Sequence, residues 1–101
     1  FEIELRRHAR FSCAAPVAFS VVDERTLEVQ GPLLHGKALD LSESGLRFES
    51  EQEVGKAELL RVEVQLGSQA IRGLARAAHC RPLPDRPGWV VGAYFLYSES
   101  P

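Results

Sequence analysis

The 101-residue sequence has only two cysteines, one tryptophan and no apolar run long enough to cross a bilayer. Cys13 and Cys80 are too few for a disulfide framework, and neither belongs to a CxxC pair, so both are expected as small buried hydrophobes. His8, His35 and His79 add none of the close ligand spacing that zinc requires, and no metal site is expected. A membrane helix needs about 18 or more consecutive apolar residues. No charged-then-apolar leader opens the chain either, so a cytoplasmic protein without direct membrane insertion is expected. Basic excess is lacking too. Twelve Lys and Arg against fourteen Asp and Glu leave a net charge of −2, which disfavours a general nucleic-acid binder, whose basic face would extend over the domain. No Ser-His-Asp or Cys-His arrangement is legible, so no catalytic residue is assigned and an enzyme is not expected. The chain opens on Phe1 rather than Met, and it is expected to be part of a longer product with neighbouring domains.

What is present is alternation. An apolar content of 45% suits one domain with a modest core. Phe11, Cys13, Ala15, Val17, Phe19 and Val21 occupy successive odd positions, the period of a half-buried strand. Pro16 cannot donate a ladder hydrogen bond, which places it at an edge or a bulge. A second strand is expected from about Leu34 to Leu41, then a turn at "LSESG", then "GLRFES" with Leu46 and Phe48 inward and Arg47 and Glu49 outward. "LLRVEVQL" alternates most cleanly, "GSQ" closes a hairpin into "AIRGLARAAHC", and a Pro-rich loop leads to the last strand, "WVVGAYFLY". No segment carries a 3.6-residue stripe over three turns. Six strands separated by turn signals indicate an all-β sandwich or small barrel. Both faces of the last strand are apolar, so it is covered on both sides or meets a partner.

Two short patterns stand out from this frame. Three of the twelve cations, Arg6, Arg7 and Arg10, fall within the five residues "RRHAR", and Arg6 and Arg10 form RxxxR just before the first strand. "ALDLSESG" places Asp40, Ser42 and Gly45 in the order DxSxxG between two strands. Alone, the first is a solvated charge run and the second an Asx or Ser turn. In this order and within six strands they resemble the PilZ domain family, as does the ending, where Gly92 and Phe95 match a last-strand GxxF pattern. The resemblance covers essentially the whole chain.

The resemblance implies a six-stranded antiparallel barrel, residues 11–101, behind a flexible basic arm, residues 1–10. It also implies that arm and hairpin bind the bacterial second messenger cyclic di-GMP as ligand, with no other cofactor. The chemistry suits it. The messenger carries two phosphates and two guanines, and an arginine fork can pair bidentately with a phosphate or with guanine O6 and N7. A carboxylate accepts from guanine N1–H and N2–H. Arg6 and Arg10 are therefore assigned to guanine and phosphate contacts and Arg7 to a supporting phosphate contact. Asp40 is assigned to the guanine edge, Ser42 to a phosphate or edge hydrogen bond, and Gly45 to the backbone geometry of the turn. The expected function is a cyclic di-GMP receptor that passes the signal to a fused or separate effector domain. The alternative is a PilZ-like protein-interaction module that binds no nucleotide and uses the last strand, Trp89, Tyr94 or Tyr97. Those aromatics are otherwise read as core and rim residues, and His79 as structural.

Overall fold

A computed structural model describes residues 14–99 in full and residues 10–12 by their backbone. Seven strands run in chain order: β1 Arg10–Ser12, β2 Pro16–Val21, β3 Leu34–Ser42, β4 Gly45–Ser50, β5 Leu59–Leu66, β6 Gln69–Pro82 and β7 Trp89–Glu99. Every pairing is antiparallel, and the described residues contain no helix. Around the ring, β3 pairs with β2, β2 with β5, β5 with β6, β6 with β7, β7 with β4, and β4 again with β3. The sheet is thereby closed, which leaves no long unpaired edge.

β1 and β2 act as the two halves of one strand. β2 pairs with Leu34–Lys37 and β1 with Asp40–Ser42, both on the same side of β3. The break falls before Pro16, where the chain would otherwise have to supply an N–H that proline lacks. Ala15 still accepts from the Ala38 amide at 2.8 Å. The barrel is therefore six-stranded, as the alternation and the resemblance imply, with the first strand interrupted at the proline.

The interior is filled by the apolar set of each strand. Phe19, Ala38, Leu41, Phe48, Leu60, Val64, Ala75 and Val91 are fully buried. Phe19 and Phe48 meet near the centre with ring centroids 4.9 Å apart and planes tilted by 58°, a favoured aromatic geometry. Cys80 is a half-buried free thiol against this cluster, while Cys13 lies outside the described residues. On β7, Val91 and Ala93 face the core, whereas Tyr94, Leu96 and Tyr97 are exposed. Between β2 and β3, Asp23 organises the connection by accepting from the Arg25 and Thr26 amides. Those bonds, Thr26's first, lower its carboxyl below the usual value. Among the described residues, no helix is long and apolar enough to cross a membrane, and no group of three His, Cys, Asp or Glu is placed to hold a metal ion.

Three one-residue irregularities interrupt the ladders, between Ala38 and Asp40, between Leu74 and Ala75, and between Ala77 and His79. Side chains alternate with period two, so one extra residue turns every later side chain to the other face. Ala38 and Ala77 point into the core. Without a bulge Asp40 and His79 would do so too. With it, Leu41 and Cys80 take the inward positions, and Asp40 and His79 come to the outer face.

Candidate functional site

The strand pairing brings the two sequence patterns together. Arg10 stands opposite Ser42 and Ser12 opposite Asp40 in the β1–β3 ladder. The last arginine of RxxxR thus shares a register position with the serine of DxSxxG. Arg6 and Arg7 lie outside the described residues, as does the proposed arm up to residue 9.

Asp40 is held from the neighbouring strand. Arg47, its partner across the β3–β4 hairpin, donates from Nε at 2.9 Å and from an Nη at 2.8 Å, both to Oδ2. The carboxylate side chain is only 8% exposed while the guanidinium is 51% exposed, so the pair offers an anchored cation to the surface. Sequence reading puts Arg47 outward, as observed, and assigns it no role. The signal was available, because Asp40 and Arg47 are symmetric about the expected turn. Two residues further along β4, Glu49 is held by Arg86 of the β6–β7 loop at 2.6 Å, so the next outward carboxylate of that strand is already engaged.

Ser42 is buried, and its hydroxyl works inside the turn. It lies 3.1 Å from the Ser44 hydroxyl and donates to the Gly45 carbonyl at 3.4 Å. Gly45 is a glycine for a reason other than the turn conformation expected of it. Its φ is not in the left-handed region. A side chain there would collide with the Ala93 carbonyl oxygen and reach within 3.0 Å of the Tyr94 Cα. The motif glycine therefore lets β4 and β7 approach closely beside the turn, which is how a hairpin feature becomes a barrel feature.

The outer row through Asp40 continues around the wall. Asp40 pairs with Arg47, Arg47 with Gly92, and Gly92 with His79. One carboxylate, one guanidinium, a bare backbone and one imidazole thus follow each other across β3, β4, β7 and β6.

A family model of the PilZ domain matches residues 4–98. The chain belongs to the PilZ domain family. PilZ domains generally bind cyclic di-GMP, and the family is one of receptors rather than of known catalysts. No curated protein matches the chain.

Proposed function

We propose that this PilZ domain is a cyclic di-GMP receptor that clamps the dinucleotide between RxxxR and the DxSxxG hairpin. The observation that carries the reading is the β1–β3 register, which sets Arg10 opposite Ser42, two residues along β3 from Asp40. Two phosphates and two guanines call for cations and for an acceptor that reads the base. Arg6 and Arg10 supply forks for phosphate and for guanine O6 and N7, with Arg7 in support. Asp40, steadied by Arg47, accepts from the guanine N1–H and N2–H. Ser42 reaches a phosphate or base edge by exchanging its Ser44 contact for one to the ligand, and Gly45 keeps the hairpin seated on β7. Binding then biases a fused or separate effector domain.

The exposed Tyr94, Leu96 and Tyr97 of β7 favour a second reading, a PilZ module that acts through protein contact alone. Replacing the arginines separates the two. Arg6→Ala and Arg10→Ala should each weaken cyclic di-GMP binding about tenfold or more, since a charge-assisted bidentate contact contributes roughly 1–3 kcal/mol. Neither substitution removes an apolar core side chain, so the ligand-free melting midpoint should hardly move. Titration of the parent and both variants, with a melt of each, checks this. Variants that bind as tightly as the parent contradict the clamp.

A further inference from the structure

His79 is at the surface, yet its ring does not stand away from the barrel. The Cε1 and Nε2 atoms occupy the space where a Gly92 side chain would begin. The imidazole therefore reaches from β6 onto the track of β7 and lies against bare backbone. Two features of the fold are needed to put it there. The bulge between Ala77 and His79 turns the side chain outward, and Gly92 leaves the neighbouring position open. The same device, a bulge between Ala38 and Asp40, turns Asp40 outward at the other end of this row.

The ring consequently follows Arg47 directly along the row. Strands are spaced about 4.8 Å apart, so the tracks of Asp40, Arg47 and the His79 ring span roughly 10 Å. Tyr94, two residues beyond Gly92 on the same face, is 45% exposed and stands opposite Gly45. The imidazole thus lies over Gly92, with the Arg47 position next to it on β4 and the Tyr94 position two residues along β7. As a floor, such a ring suits a purine, whose face stacks on aromatic rings including histidine.

We infer that His79 is a base-contacting residue of the nucleotide site, the floor on which the guanine not held by Asp40 stacks, and that Gly92 is the residue that positions it. The inference rests on the cyclic di-GMP reading and extends that site from β3 and β4 across β7 to β6. Gly92 then has a role of its own: the three atoms nearest to a methyl group there all belong to the movable His79 ring, so the methyl displaces the floor.

The test is isothermal titration with cyclic di-GMP of the parent, His79→Ala, His79→Phe, Gly92→Ala and the double variant His79→Ala/Gly92→Ala, with a melt of each. Removing a stacked base contact weakens binding about tenfold. His79→Ala and Gly92→Ala should each show that loss. His79→Phe, which keeps a ring, should stay within about threefold of the parent. The double variant should be no worse than His79→Ala alone, because the two substitutions remove the same contact. Parent-like affinity in His79→Ala, or losses that multiply in the double variant, overturns the inference and leaves the receptor reading standing. A parent that does not bind cyclic di-GMP overturns both.

Discussion

Cyclic di-GMP should bind this domain on the order of a hundredfold more tightly than cyclic di-AMP, and Asp40→Ala should lose much of that preference. Both messengers carry the same two phosphates, so arginine contacts to phosphate cannot distinguish them. The bases can. Guanine offers N1–H and N2–H donors to a carboxylate, whereas adenine presents an N1 lone pair and has no N2 amine. An arginine donor aimed at guanine O6 meets an amine on adenine instead. Two mismatched contacts at roughly 1–3 kcal/mol each give the expected ratio. A site built for hydrogen bonding rejects an analogue that leaves its groups unpaired. The Asp40 side chain is only 8% exposed and is fixed by two bonds from Arg47, so it cannot easily turn away from a mismatched base. Competition titrations of parent and Asp40→Ala with both dinucleotides measure the ratio. Equal ratios in the two proteins would show that Asp40 does not read the base.

The second large effect concerns the wall that carries the site. Phe48 follows the hairpin on β4, is fully buried, and packs on Phe19. Phe48→Ala should cost about 3–5 kcal/mol, the sum of lost transfer energy and the cavity left behind. Total stability for a domain of this size is typically about 5–15 kcal/mol. The melting midpoint should therefore fall by at least about 12 °C, at roughly 4 °C or more per kcal/mol. Arg10→Ala should give the opposite pattern, with affinity lost and the midpoint kept. Chemical denaturation of the two variants side by side would check the division between wall and clamp. A Phe48→Ala midpoint close to the parent's would mean that the core is not centred on this aromatic pair.

The strands were legible because one face of each is buried, and burial writes a period of two into residues such as Leu60, Val62 and Val64. Pro16 announced the break in the first strand through its missing N–H. The bulges were not legible. A single extra residue at Leu39 or Ala78 changes no composition and is defined only against a partner strand, yet it decides that Asp40 and His79 face outward. Closure could be reached only through the family resemblance, since alternation alone fits a sandwich equally well. Within the site, Asp40, Ser42 and Gly45 were found by their spacing. The close approach that constrains Gly45 comes from Ala93, far along the chain, and no local pattern carries it. The Asp40–Arg47 pair is legible only once the expected hairpin is folded about its turn, since seven residues separate the two in sequence. His79 carried no motif at all, and its significance depends on Gly92 lying opposite.

A receptor of this kind takes cyclic di-GMP at the junction of RxxxR with the DxSxxG hairpin, as proposed above. Isothermal titration of the purified 101-residue chain with cyclic di-GMP tests it most directly, because one curve reports affinity and stoichiometry together. The expected result is saturable binding of one dinucleotide, or a stacked pair, per chain, lost when Arg6 and Arg10 are both replaced by alanine. A folded parent chain that gives no saturable binding would contradict it.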